Sequence, residues 1–97
     1  MSISEIIFEA VSKTTGVSKT KMLSRSRLWP VAEARMLFIL FCARLGYDDQ
    51  STAWDLHRNR TTILSIRHRA EDYIGISKSF RDKYNKIAKE YENAKSI

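Results

Sequence analysis

Ser51-Thr52-Ala53-Trp54-Asp55-Leu56-His57-Arg58-Asn59-Arg60-Thr61-Thr62-Ile63-Leu64-Ser65-Ile66-Arg67-His68-Arg69 is the stretch that decides how this chain is read. Ala53, Trp54 and Leu56 fit a short helix that Asp48 or Asp49 can cap, and His57-Arg58-Asn59 is a polar turn. A further helix beginning near Arg60 places Ile63, Ile66, Ala70 and Ile74 on one face and Thr61, Ser65, His68 and Arg69 on the other. A short helix, a tight turn and a second helix whose exposed start is rich in Thr and Arg is helix-turn-helix grammar. The chemistry suits duplex DNA: a helix fits the major groove, Thr methyls can touch thymine methyls, and Arg can fork onto guanine O6 and N7. An ordinary helical hairpin with a solvated basic face has the same pattern, so the motif by itself leaves both readings open.

Charge distribution narrows the choice. The chain carries a net +6, and the excess sits in two stretches. From Ala10 to Ala32 there are five basic residues (Lys13, Lys19, Lys21, Arg25, Arg27) and no acid. From Leu56 to Ala70 there are four (Arg58, Arg60, Arg67, Arg69), again without an acid. Concentrated positive charge on an otherwise near-neutral surface is the footprint of a polyanion binder, because neutralised phosphates release counterions. The length of 97 residues suits one domain, and 43% hydrophobic residues are enough for a folded interior. Cys42, the single cysteine, lies in an apolar run and reads as a small buried hydrophobe in a reducing compartment. The longest apolar run, Met36 to Ala43, is far below the ~20 residues of a spanning helix, and no export signal is evident. A cytoplasmic, nucleoid-associated protein is therefore expected.

The flanking segments are also helical. Ser2-x-x-Glu5 forms a capping box ahead of Ile3, Ile6, Ile7, Ala10 and Val11, with Gly16 as a left-handed stop. Ser18 can cap a short second helix holding Met22 and Leu23, followed by a basic loop, Ser24-Arg25-Ser26-Arg27, expected to be exposed. A mobile arm of this kind can place an arginine in a narrow minor groove. Pro30 in a first turn and Gly46 past the end bound a central helix with apolar residues all round, which neighbours must cover. Gly75 is expected to end the helix that begins near Arg60, and Ser79-x-x-Asp82 to start a last helix at about 79–94. Its stripe of Phe80, Tyr84, Ile87, Tyr91 and Ala94 can close the domain's own core or form a homodimer seam. The expected architecture is all-α, a compact bundle of about six helices.

With these features in hand, a family resemblance emerges. From Val11 to Leu45 the chain resembles, without gaps, the C-terminal DNA-binding domain (domain IV) of the bacterial chromosomal replication initiator DnaA, of the Trp-repressor-like group. The match is carried by Val11, Val17, Met22-Leu23-Ser24, Arg25, Arg27 and Val31-Ala32-x-x-Arg35. Arg58-Asn59-Arg60-Thr61-Thr62-Ile63 is similar to that family's Arg-Asp-His-Thr/Ser-Thr-Val signature. The resemblance implies that Arg27 enters the minor groove and that Asn59, Arg60, Thr61 and Thr62 read bases in the major groove. Arg25, Arg35 and Arg58 match basic positions, and with Lys19, Lys21 and Arg69 they are assigned to phosphates. Asn59 and Arg60 replace Asp and His, which removes a carboxylate acceptor that could choose cytosine and shifts the expected target sequence. The segment before the signature is about two residues shorter than in the family, and Trp54 has no counterpart. No Gly-x-x-x-x-Gly-Lys-Ser/Thr loop occurs, so ATP-driven origin melting is not implied.

Other chemistries are poorly served. His57 and His68 lack cysteine or carboxylate partners at metal-ligand spacing, so phosphate contact or plain exposure is expected of them. Asp48-Asp49 reads as a helix cap, and Trp29 and Trp54 as core residues. No nucleophile has a plausible base, so neither an enzyme nor a cofactor is expected. The expected partner is double-stranded DNA, without membrane or small-molecule substrate, in replication or transcription control. The rival is a helical protein-interaction module with only non-specific DNA affinity.

Overall fold

Residues 2–96 are described by the structure, a computed structural model, and among them every regular element is an α-helix. The six helices are α1 (Ile3–Thr15), α2 (Lys19–Leu23), α3 (Trp29–Arg44), α4 (Asp49–Leu56), α5 (Arg60–Ile76) and α6 (Lys78–Lys95). Local chemistry sets most of their starts. Ser2, Ser18, Asp48, Asn59 and Ser77 each accept a backbone N–H with their side chain, satisfying a donor that the first turn leaves free. Gly16 closes α1 at φ 78°, in the left-handed region where a Cβ would be strained. Pro30 occupies the first turn of α3, where it forfeits no helical hydrogen bond.

α3 is the hub. From Val31 to Cys42 only Ala32 escapes full burial, and the other five helices pack around this segment. Phe8 of α1 stacks on Phe38 at 4.1 Å, while Tyr84 and Tyr91 of α6 approach Phe41. Buried on α3 is also Glu33, whose carboxylate accepts from Lys83 of α6 at 2.6 Å. A buried carboxylate without that partner would be costly, so this pair fixes α6 against α3. Burial pushes the Cys42 thiol up to about 12, leaving it protonated and unreactive at neutral pH.

Two expectations are corrected, at the α5–α6 junction and at the tryptophans. Gly75 does not end α5; it has no positive φ, the helix runs to Ile76, and α6 starts at Lys78 rather than near Ser79. Ser77 alone makes the junction. Its N–H donates to the Tyr73 carbonyl (2.9 Å), and its Oγ accepts from the Phe80 N–H (3.1 Å). The stripe on α6 takes the first of its two expected uses, closing the chain's own core: Phe80, Ile87 and Tyr91 are buried and Tyr84 is half-buried against it. Trp54 is not core but 80% exposed, and Trp29 is half-exposed, its ring edge-on to Tyr73. α4 turns Thr52, Ala53 and Leu56 inward, and at about 100° per residue Trp54 must then point outward.

Candidate nucleic-acid interface

α4 and α5 form the expected helix-turn-helix pair, and their relation is fixed by charge. Arg67 of α5 forks onto Asp49 at the start of α4, Nε to Oδ1 at 2.8 Å and Nη2 to Oδ2 at 3.0 Å. The Arg67 hydrogen bonds hold the Asp49 carboxyl below its ordinary value, so the pair is ionised at neutral pH. Between the helices, His57 adopts φ 56°, the left-handed conformation that reverses the chain after α4. Asn59 then caps α5: its Oδ1 accepts from the Thr62 N–H at 2.8 Å. That bond uses one of the oxygen's two lone pairs, so this exposed side chain keeps its N–H₂ donors and one acceptor site for a ligand.

α5 buries Ile63 and Ala70 and packs Ile66, Tyr73 and Ile74 on the core. Arg60, Thr61, Ser65, His68 and Arg69 are exposed on its other side, and Thr62 is half-buried at the edge. The first turn of α5 contains no acidic residue. The positive end of the helix dipole and Arg60 therefore reinforce one another, an arrangement that lowers helix stability and favours an anion nearby.

The basic loop lies against this turn because two arginines tie it there. Arg35 is only 8% exposed. Its Nε donates to the Met22 carbonyl (2.7 Å), Nη1 to Ser26 (2.7 Å), and Nη2 to Ser24 (2.5 Å) and Lys21 (3.3 Å). From the opposite side, Arg58 donates through Nη2 to the same Ser24 carbonyl (2.5 Å) and through Nη1 to Leu56 (3.0 Å) and Leu23 (3.4 Å). Arg35 is thus not available as a phosphate contact, contrary to the sequence expectation; it holds the loop's shape from beneath. Arg58 does the same work while still lining the surface. Burial lowers the Arg35 pKa from its ordinary value, and the adjacent Arg58 cation lowers it further.

The result is a cleft lined by Leu23, Arg25, Arg27, Arg58, His57 and Thr62, with Ser26 and Arg35 completing its wall and no carboxylate in it. Arg25 and Arg27 are exposed, as are Lys19 and Lys21 on α2. Lys19 lies 4.9 Å from the Phe8 ring, which partly orders it, whereas Lys21 projects freely. Arg69 is exposed two turns and more along α5 from the cleft. Among the described residues, the ion pairs of arginine are Arg44 with Glu71 and Arg67 with Asp49; none involves an arginine of the cleft. No group of three or more potential metal ligands occurs among the described residues, and no helix there is long and apolar enough to cross a membrane. No family model matches the chain, and no curated protein is significantly similar to it.

Proposed function

We propose that this chain binds double-stranded DNA sequence-specifically, with the start of α5 in the major groove and the Arg25–Arg27 loop in the adjacent minor groove. One observation carries the reading: Arg35 and Arg58 converge on the Ser24 carbonyl, which fixes the basic loop beside the first turn of α5 with no acid in the cleft between them. A loop that only needed to be soluble would not require two guanidinium anchors. Two presented cations, Arg25 and Arg27, next to an exposed Arg60-Thr61-Thr62 turn supply both halves of a two-groove clamp. Arg27 reads the minor groove, Asn59, Arg60, Thr61 and Thr62 read bases, and Lys19, Lys21, Arg25, Arg58 and Arg69 surround the site with positive charge for phosphates. Asn59 offers a carboxamide donor and a remaining acceptor lone pair, the combination that pairs with adenine N7 and N6. The resemblance to the replication initiator's DNA-binding domain agrees with this arrangement, and the biological output is replication or transcription control by a nucleoid-associated protein.

The test is selection of bound duplexes from a random pool, followed by affinity against salt for the wild type, Arg27→Ala, Thr62→Ala and Lys21→Ala. Arg27→Ala and Thr62→Ala should each cost about 1–3 kcal/mol and relax specificity at one position, whereas Lys21→Ala should weaken every sequence and lower the salt slope by roughly one. A pool with no enriched motif would overturn sequence reading.

A further inference from the structure

Trp54 is 80% exposed and belongs neither to the core nor to the arginine cleft. An indole is costly to leave in water and is enriched where proteins meet their ligands, since its ring offers apolar area and its Nε1 a hydrogen-bond donor. Gln50, Trp54 and His57 recur at helical spacing on the outward side of α4 and its cap, all exposed, while Thr52, Ala53 and Leu56 turn inward. Together with Ala53 and Arg58 these three line a depression. His57 and Arg58 also line the arginine cleft, so the two hollows meet across the turn of the helix-turn-helix. The depression has no carboxylate in its lining: its polar side chains are the Gln50 carboxamide, the Trp54 indole, the His57 imidazole and the Arg58 guanidinium, each able to donate. The carboxylates around α4 lie elsewhere. Asp49 is forked by Arg67, and Asp48 and Asp55 line a separate groove between Trp54 and α1. Gln50 and Trp54 border both hollows, so they mark the line where donors give way to acids.

We propose that Gln50 and Trp54 extend the DNA-binding surface beyond the cleft by gripping the sugar-phosphate backbone of the strand that passes α4, an inference that rests on the DNA reading above. Gln50 and the Trp54 Nε1 donate to phosphate oxygens, and the indole ring lies on the adjoining deoxyribose. In a helix-turn-helix complex the helix ahead of the recognition helix crosses the backbone, which is the place α4 takes relative to α5. Contacts of this kind fix register without reading bases. Because both donors are neutral, they displace no counterions, and their contribution persists as salt rises. The acids on the far side of Trp54 repel phosphates, so the strand's contact with α4 ends there. A protein partner seated in that acid-lined groove would also use Trp54, but it would leave DNA affinity independent of this residue.

The test measures the affinity of the whole chain for a duplex recovered from the random pool, over a range of salt, for the wild type, Gln50→Ala, Trp54→Ala and Trp54→Phe. Circular dichroism verifies that each variant folds. Trp54→Ala should weaken binding roughly tenfold and Gln50→Ala roughly fivefold, for every sequence and with an unchanged salt slope, whereas Lys21→Ala lowers that slope. Trp54→Phe keeps a ring for the sugar but no donor, and should fall between wild type and Trp54→Ala. Single methylphosphonate linkages, which remove a phosphate's charge, are then moved along both strands. At the gripped linkage the wild type should lose affinity and Trp54→Ala markedly less. A wild type that binds no duplex overturns the DNA reading and this inference together. If the wild type binds, the inference alone is overturned by Trp54→Ala and Gln50→Ala lying within about twofold of it, by a fall in their salt slope, by a changed motif for Trp54→Ala, or by no linkage telling Trp54→Ala from the wild type.

Discussion

Removing Arg35 should destabilise the protein, and the amount can be worked from its partners. Four carbonyls receive its guanidinium, but they are not equally dependent on it. Ser24 keeps Arg58, and Lys21 keeps the N–H and Oγ of Ser24. Arg35→Ala therefore leaves two carbonyls, those of Met22 and Ser26, without their charged donor. At about 1.5 kcal/mol for each charged hydrogen bond, the loss is about 3 kcal/mol, a large share of the 5–15 kcal/mol typical of a domain. The melting temperature should fall by roughly 10–20 °C. Arg35→Lys keeps the charge, but an ammonium cannot fork to both carbonyls, and about half the loss should remain. Urea unfolding followed by circular dichroism measures both. If Arg35→Ala lies within about 0.5 kcal/mol of the wild type, the buttress argument is wrong. A phosphate-binding Arg35 would instead leave stability unchanged and lower only the salt slope of DNA binding.

Asp49 is held below its ordinary pKa by Arg67, so its stabilising share is complete above the usual carboxylate range and is lost as pH falls through the depressed value. Asp49→Asn should cost about 1 kcal/mol at neutral pH, and denaturation midpoints should show that it loses less further stability than the wild type between roughly pH 5 and pH 2. Gly75 lies within α5 with open space around it, so Gly75→Ala should stabilise by about 0.5 kcal/mol, whereas Gly16→Ala, at φ 78°, should destabilise by about 1 kcal/mol; paired thermal melts decide. Asn59→Ala removes the α5 cap and should cost about 1 kcal/mol in stability besides any effect on binding, while Asn59→Asp, which keeps the cap, should retain stability and change the preferred base, as a repeated duplex selection would show.

What the sequence made legible was local. Ser2, Ser18 and Asp48 act on donors three residues ahead, and Gly16 needs only its own φ, so four helix ends follow from short stretches. The all-round burial of α3 was equally visible where Met36 to Cys42 run without a polar residue. Where reading failed, the deciding contact was distant or the periodic signal too short. α4 spans two turns, and so brief a helix does not reveal which way Trp54 faces. Gly75 and Ser79 carried the usual punctuation for a helix junction, yet Ser77 could satisfy both helices by itself. Arg35 meets its carbonyls across nine to fourteen residues of chain, and only the packing of α2 and the loop on α3 reveals that its side chain is enclosed.

The arginines differ in what holds them, and that difference separates the exposed members of the candidate site from those beneath it. Arg44 and Arg67 have carboxylate partners, which cancel their charge. Arg35 and Arg58 have carbonyl partners, which satisfy the guanidinium's donors and fix its direction but leave its charge intact. Arg25 and Arg27 stand above them in the same cleft. Arginine is suited to this task because it stays ionised even where burial lowers its pKa, whereas a buried lysine would tend to discharge. The anchoring pair thus does two things together: it holds the loop in place, and it adds two uncancelled charges under the surface that the loop presents. Each such charge attracts an anion about 4 Å away by up to about 4 kcal/mol at an effective dielectric near 20, before salt screening. An arginine can therefore strengthen phosphate binding without touching a phosphate, and charge read along a sequence reports the field of a site before it reports the contacts.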